Sequence, residues 1–216
     1  MMLFEAAHVT LRFDGAAQPV LHDFSWSLGK GESWWVSGAS GCGKTTLLRL
    51  IAGLLAPTGG RVERHARRVG VAFSDIRLVP HLDLVANLAL VRPDLRRNPA
   101  LQQRLEEDLL FLGLDAVRHL PARDLSKGQQ QRAALLRALV IVPDLLLLDE
   151  AASGLDDDNW RNARELVRRY REKDPFALVE VSHNPQRLLG KSGVCNCLPL
   201  SSAPEASSGE HVSAGP

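Results

Sequence analysis

The sequence has few cysteines and none of the spacing that suggests a disulfide framework. Three of its 216 residues are cysteine, an odd number. Cys42 lies in a glycine-rich stretch, whereas Cys195 and Cys197 are separated by one residue near the end of the chain. The latter two could form half of a metal site, but no second cysteine or histidine pair accompanies them. We therefore expect free thiols in a reducing compartment.

Long apolar runs are also missing. The longest, residues 133–142, is interrupted by Arg137, and no stretch reaches the roughly 18 apolar residues that a membrane-spanning helix needs. The first 13 residues carry Glu5, His8 and Arg12 and lack the apolar core of a secretory signal. We expect neither a membrane span nor a signal peptide, so any role at a membrane would require a partner protein.

A large excess of one charge is absent as well. The formal net charge is +1, which provides no general attraction to nucleic acids or anionic lipids. With 45% hydrophobic and 24% charged residues, the composition is that of a soluble globular protein. The basic residues 61–68 lack interleaved aromatic residues, and we interpret them as a solvated hairpin rather than a nucleic-acid site.

The sequence does contain a glycine-rich segment typical of phosphate-binding loops. Residues 38–45 match G-x-x-x-x-G-K-[ST], between a short apolar strand and a helix with apolar residues at helical spacing. Glycine lets main-chain N–H groups approach an anion, Lys44 adds a positive charge, and the Thr45 hydroxyl can ligate Mg²⁺. The expected nucleotide-binding residues are Gly38, Ala39, Ser40, Gly41, Cys42, Gly43, Lys44, Thr45 and Thr46.

Strand and helix patterns alternate along the chain, which predicts an α/β fold. Four consecutive leucines, residues 145–148, are typical of a strand that is buried on both faces of a parallel sheet. Residues 76–140 have helical character and interrupt this pattern. We expect one domain over residues 1–200 and, because residues 201–216 are rich in Ser, Ala, Pro and Gly, a disordered tail.

Acidic residues and a histidine follow two of the expected strands. Asp149 and Glu150 end the leucine strand, at the edge where parallel sheets bind ligands, and suit Mg²⁺ and the polarisation of an attacking water. His183 ends a later strand and could form a hydrogen bond with a terminal phosphate. Phe13, one hairpin before the glycine-rich loop, could stack on a base or belong to the core.

A further helix start has two interpretations. Ser126 and Gln129 fit the capping box S-x-x-Q, in which each side chain bonds the other residue's main-chain N–H group. Gly128 lies at the same helix start, and a capped helix N-terminus can also bind an anion. Both interpretations can hold together.

Taken in this order, the motifs resemble those of the ATP-binding cassette (ABC) ATPases over roughly residues 3–190. The resemblance identifies residues 38–45 as the Walker A motif, residues 145–149 as the Walker B strand, residues 125–129 as the family signature and residues 153–156 as the D-loop. It implies a P-loop NTPase core with a mainly parallel sheet, an N-terminal antiparallel β part and an inserted helical subdomain.

The resemblance also implies roles for single residues. Lys44, Glu150 and His183 would be catalytic, with Glu150 as the base; Thr45 and Asp149 would hold Mg²⁺. Phe13 would stack on adenine, and residues 80–88 are similar to the segment that faces a membrane permease. Ser126, Gly128 and Gln129 would complete the ATP site of a second cassette, because two cassettes of this family pack head to tail.

The implied function is ATP hydrolysis by a homodimer bound to a transmembrane permease on the inner face of the cell membrane. The chain looks most like a bacterial importer subunit for a small solute, of the nitrate, sulfonate or taurine type, with no nucleic-acid partner. Alternatives are a non-transport ABC ATPase and a weakly hydrolysing nucleotide sensor.

Three features depart from the family pattern. Ser74 replaces a glutamine that normally reaches Mg²⁺, the attacking water and the permease coupling; serine is shorter, so weaker coupling is expected. Lys127 stands in the signature where glycine is common, and we expect function to survive. Only about 15 structured residues are expected after His183.

Overall fold

The computed structural model describes residues 1–190 and 196–201. The strands are β1 (Met2–Leu11), β2 (Leu21–Gly29), β3 (Ser33–Ser37), β4 (Gly59–Arg64), β5 (Val69–Ala72), β6 (Leu145–Asp149), β7 (Ala177–Val181) and β8 (Asn196–Pro199). The α-helices are α1 (Lys44–Ile51), α2 (Leu84–Val91), α3 (Pro99–Phe111), α4 (Lys127–Val140) and α5 (Asp157–Lys173). Short 3₁₀ turns occupy Pro93–Arg96, Asp115–Val117, Ala122–Asp124 and Pro185–Arg187.

A five-stranded sheet in the order β5-β6-β7-β3-β8 forms the centre of the fold. All its neighbouring strands are parallel, and the register pairs Val36 with Val181 and Asp149 with Val181. The carboxyl ends of β3, β6 and β7 therefore meet at one edge of the sheet. This edge brings together the glycine-rich loop, the acidic pair and His183, as the motif order predicts.

The leucine run of β6 connects two hydrophobic clusters. Leu146 and Leu148 pack with the helices α2 to α5, whereas Leu145 and Leu147 pack with α1 and the amino-terminal strands. Because successive side chains of a strand point to opposite faces, each face receives two leucines. Full burial of each contributes roughly 1.5–3 kcal/mol, which explains the continuous apolar run.

The amino-terminal strands form a second, antiparallel sheet in the order β2-β1-β4. The interpretation of residues 61–68 as a solvated hairpin is wrong in part, because Gly59–Arg64 is a strand paired with β1. The Arg64 guanidinium donates to the carbonyl of Leu50 at the end of α1 (Nη2···O 2.6 Å). This basic stretch therefore includes a residue that caps a helix, not only a solvated surface.

The helices α2, α3 and α4 lie between β5 and β6, where the sequence predicts helical character. Gly113, directly after the C-cap Leu112 of α3, adopts φ +63°, and the Leu114 N–H donates to the Leu109 carbonyl (2.8 Å), which terminates the helix. Within residues 1–190 and 196–201, no helix combines the length and apolar character needed to cross a membrane. The expected tail lies outside the described residues beyond Ser201.

The strand β8 was not expected from the sequence. It pairs with β3 in parallel, and the Leu200 N–H then donates to the Ser37 carbonyl (2.8 Å), one residue before the glycine-rich loop. Cys197, on this strand, is a free and exposed thiol, and its Sγ lies 3.3 Å from the Ser37 hydroxyl. Cys195 lies outside the described residues.

Candidate nucleotide-binding site

The glycine-rich loop occupies residues 38–43 between β3 and α1. Gly38 and Gly43 adopt φ +150° and +102°, which side chains strongly disfavour. A Cβ on Gly38 would lie 2.3 Å from the Leu200 carbonyl oxygen, and one on Gly43 would lie 2.6 Å from Cγ1 of Val20. Glycine is required at both positions because Leu200 and Val20 leave no space for a larger residue.

The loop leads into α1 without a side-chain cap. Gly43 is the N-cap of this helix and forms no side-chain capping bond, so the first main-chain N–H groups of α1 are left to other partners. Lys44 is buried, and its Nζ donates to the carbonyls of Gly38 (2.8 Å) and Ala39 (2.7 Å). This arrangement places a positive charge and unsatisfied amides beside each other, which is the chemistry of an anion site.

Asp149 collects two hydroxyl donors at the end of β6. Thr45 Oγ1 donates to Asp149 Oδ2 (2.8 Å), and Ser74 Oγ donates to the same oxygen (3.3 Å). Asp149 itself is only 2% exposed. Ser74 therefore reaches the carboxylate directly, although its side chain is shorter than the glutamine of the family pattern.

These groups fit Mg²⁺, which prefers hard oxygen ligands and usually takes one or two protein groups together with phosphate oxygens. The Thr45 hydroxyl and the Asp149 carboxylate already lie within hydrogen-bond distance of each other. In the described residues, no cluster of three or more His, Cys, Asp and Glu side chains could hold a metal without such help.

Glu150 and His183 form a second pair beside Asp149. Glu150 Oε1 accepts the His183 main-chain N–H (2.9 Å) and lies 3.6 Å from His183 Nε2. Burial raises the pKa of Glu150, although the nearby His183 and Lys44 act to lower it. Glu150 also adopts φ +52°, an uncommon conformation for a residue with a side chain. A carboxylate with a raised pKa beside an imidazole suits proton transfer near neutral pH.

A cleft of about 270 Å³ collects most of these side chains. The predicted site residues that line it are Ser40, Gly41, Gly43, Lys44, Thr45, Thr46, Asp149, Glu150 and His183. Ser74, Val20 and Val181 also line it, of which the sequence drew attention only to Ser74. The sequence could not identify Val20 or Val181 as cleft residues, because their position in the cleft depends on which strand ends lie next to each other.

The remaining predicted residues do not line the cleft. They are Phe13, Gly38, Ala39, Cys42, Ser126, Gly128 and Gln129. Cys42 is buried in the core, and Phe13, beyond the end of β1, is 43% exposed. Gly38 and Ala39 still contact the site through the carbonyls that bind Lys44.

The start of α4 has the expected capping box. Ser126 Oγ accepts the Gln129 N–H (3.3 Å), and Gln129 Oε1 accepts the Ser126 N–H (2.8 Å). The capping interpretation is therefore confirmed. Nothing in the geometry of this single chain tests a contact between this helix and a nucleotide, so that role stays a proposal.

Comparison with known proteins decides the family. Residues 21–153 match the family model described as ABC transporter, which is more than half of the chain. The chain belongs to the ABC transporter family. The resemblance of its motifs to ABC ATPases is thereby confirmed.

Curated members of the ABC transporter family include close relatives of this chain. The Fe(3+) ions import ATP-binding protein FbpC of Brucella melitensis biotype 1 is 40% identical over 72% of this chain and 47% of that protein. Its counterpart FbpC 1 of Rhizobium meliloti is 39% identical over 79% of this chain and 51% of that protein. The chain spans about half the length of the curated relatives it matches.

Solved structures of ABC proteins share the fold. The dimeric post-hydrolysis structure of the ATP-binding cassette MJ0796, bound to ADP and Pi, superimposes with a TM-score of 0.78 at 24% identity and covers 92% of this chain and 94% of that one. An inward-facing putative metal-chelate type ABC transporter gives a TM-score of 0.68 at 22% identity, covering 86% of this chain and 75% of that one. The fold class expected from the sequence is confirmed.

Proposed function

We propose that this chain is the ATP-binding and ATP-hydrolysing subunit of an ABC importer for a small solute. The observation that carries the proposal is the meeting of Thr45, Asp149, Glu150 and His183 at the mouth of the glycine-rich loop. The relatives named as Fe(3+) import proteins support import rather than export. A nitrate-, sulfonate- or taurine-type substrate stays a prediction based on the sequence.

In the proposed reaction, ATP and water give ADP and phosphate. Lys44 and the main-chain N–H groups of the loop and α1 would bind the phosphates, and Thr45 and Asp149 would hold Mg²⁺. Bound Mg²⁺ supplies charge neutralisation on the phosphate oxygens. Glu150 would accept a proton from the attacking water, while His183, 3.6 Å from its carboxylate, would donate a hydrogen bond to the terminal phosphate.

The proposed functional unit is a homodimer on a permease. Ser126, Gly128 and Gln129 do not line this chain's cleft, which supports the idea that they complete the site of a second cassette. Phe13 is exposed enough to stack on adenine. Residues 80–88 would face the permease, which would hold the protein on the inner face of the cell membrane. No nucleic acid enters this proposal.

The replacement Glu150→Gln tests the hydrolytic role. It keeps the size and one acceptor oxygen but removes the proton acceptor, so hydrolysis should fall by about 10²- to 10⁴-fold while ATP binding persists. Steady-state phosphate release and the ATP dissociation constant measure the two effects. Glu165→Gln, on α5 and outside the cleft, is a matched control that should leave both unchanged.

Full turnover by Glu150→Gln would contradict its assignment as the base. A wild-type protein that binds ATP but does not hydrolyse it, with or without its membrane partner, would favour the nucleotide-sensor alternative. Purification without any integral membrane partner, together with robust hydrolysis, would favour a non-transport ATPase.

A further inference from the structure

A buried carboxylate on β7 has no role in the reaction described above. Glu180 is 2% exposed and lies on the face of the sheet that packs against α5, near Leu178 and Leu189. Its partners in register on the neighbouring strands are Trp35 and Leu148. A buried carboxyl among apolar side chains is costly unless its oxygens receive hydrogen bonds.

Both oxygens of Glu180 are used to hold the chain that follows His183. Oε1 accepts the Leu189 N–H (2.9 Å), and Oε2 accepts the Gly190 N–H (3.0 Å). A Cβ on Gly190 would lie 2.1 Å from Cδ2 of Leu178, so the chain passes directly against β7 at this point. We call residues 184–190 the post-histidine segment; Glu180 anchors its far end.

The middle of the post-histidine segment is tied to a different loop. Arg187 Nη2 donates to the Leu155 carbonyl (2.6 Å), and Arg187 Nη1 donates to Asp157 Oδ1 (2.9 Å). The Arg187 carbonyl in turn accepts the Trp160 indole N–H (2.8 Å). Residues 151–156 follow Glu150 directly, and their turn is closed by a bond from the Ser153 N–H to the Glu150 carbonyl (3.1 Å).

The chain segments that follow Glu150 and His183 are therefore joined to each other. The His183 side chain is 64% exposed, so packing fixes it weakly and its place depends on its loop. We propose that Glu180 and Arg187 are positioning residues. They hold the post-histidine segment in place and thereby keep His183 beside Glu150. This inference rests on the proposed hydrolytic function of that pair.

If Glu180 and Arg187 position His183, replacing either residue should lower kcat more than ATP affinity. The hydrogen bonds of Lys44 to the loop carbonyls and of Thr45 to Asp149 involve neither Glu180 nor Arg187, so ATP affinity should be preserved. A displacement of about 1 Å between reacting groups can reduce a rate about 100-fold. We expect Arg187→Ala and Glu180→Leu each to lower kcat by about 10-fold or more, with the ATP dissociation constant changed less than about 3-fold.

Conservative replacements separate positioning from general stability. Arg187→Lys keeps the positive charge and one donor nitrogen, and Glu180→Gln keeps one acceptor oxygen, so each should recover part of kcat. Glu180→Leu replaces a buried titratable group with an apolar side chain, so the loss of activity should be larger than the decrease in unfolding temperature would explain. Arg161→Ala, an exposed arginine of α5 paired with Asp158, is the matched control and should leave kcat unchanged.

Hydrogen exchange of the full chain tests the anchoring independently of catalysis. Peptides covering residues 150–157 and 183–190 should exchange faster in Arg187→Ala and Glu180→Leu than in the wild type and in Arg161→Ala. Unchanged exchange in both variants, or loss of kcat and ATP affinity in equal measure, would overturn the inference. A wild type that exchanges as expected but lacks hydrolysis would instead contradict the proposed function alone.

Discussion

The buried Glu180 makes the stability of the protein depend on pH. Burial raises the pKa of this carboxyl from an ordinary value of 4.5 to about 7, although the Leu189 and Gly190 N–H groups act to lower it. Between these values the folded state holds a proton that the unfolded chain has lost. The free energy of unfolding attributable to Glu180 is therefore complete below pH 4.5 and decreases as the pH rises to about 7.

The size of this effect follows from the same two values. Each unit of pKa difference corresponds to about 1.4 kcal/mol, so the interval from 4.5 to about 7 corresponds to about 3 kcal/mol. Glu180→Gln cannot titrate and should lose this dependence. The difference in unfolding free energy between Glu180→Gln and the wild type should therefore grow by about 3 kcal/mol in favour of the variant from pH 4.5 to pH 7.5.

Urea unfolding at a series of pH values measures this difference. The informative quantity is how this free-energy difference changes with pH. Its absolute value also contains a constant contribution, because the amide replaces one hydrogen-bond acceptor with a donor. Glu165→Gln is the control: Arg168 and Arg169 lower the pKa of Glu165 to about 2, so its difference curve should be flat above pH 4.5. A flat curve for Glu180→Gln over the same range would refute the reasoning.

Three further replacements test the site itself. Gly38→Ala places a Cβ 2.3 Å from the Leu200 carbonyl oxygen at φ +150°, so it should destabilise the protein by about 2–4 kcal/mol and weaken ATP binding. Thermal unfolding and calorimetric titration measure the two effects, with Gly59→Ala, whose added Cβ would meet only Thr10 Cβ at 3.7 Å, as control. Thr45→Ala removes the hydroxyl that bonds Asp149, so the gain in ATP affinity on adding Mg²⁺ should shrink by about 10-fold or more, and an unchanged gain would contradict the proposed ligand. Ser126→Ala removes a helix cap worth about 1 kcal/mol; under the dimer proposal it should also slow hydrolysis, and mixing it with the Glu150→Gln chain should leave one working site if the signature acts in trans.

The meeting of Thr45 with Asp149 could be predicted from the sequence, although 104 residues separate them. Asp149 ends one apolar strand, Thr45 lies at the start of the helix that follows another strand through the glycine-rich loop, and a parallel sheet brings the carboxyl ends of such strands to one edge. The same rule accounts for Glu150 and His183. Local chemistry sufficed for the cap at Ser126, because both of its bonds join residues three apart.

Features that depend on distant packing were not predictable. β8 has four residues of ordinary composition, and its strand geometry comes from pairing with β3 rather than from propensity. Arg64 could be recognised as a helix cap only once β4 lay beside the end of α1. The reach of Ser74 to Asp149 depends on the spacing between β5 and β6, which side-chain length alone does not determine.

Glu180 combines a feature that the sequence shows with one that depends on distant packing. A strand buried on both faces should be continuously apolar, and β7 follows this rule at its other four positions, Ala177, Leu178, Val179 and Val181. The acid therefore breaks a local pattern, yet the groups that satisfy it lie 9 and 10 residues further along the chain, at Leu189 and Gly190. Burying an acid in β7 is costly, and such departures from a regular pattern are expected where function outweighs packing. Here the proposed function of the acid is to hold the loop of a candidate catalytic histidine. The acid at position 180 can therefore be noticed in the sequence as a break in the strand pattern, but only the fold shows that it binds the main chain that follows His183.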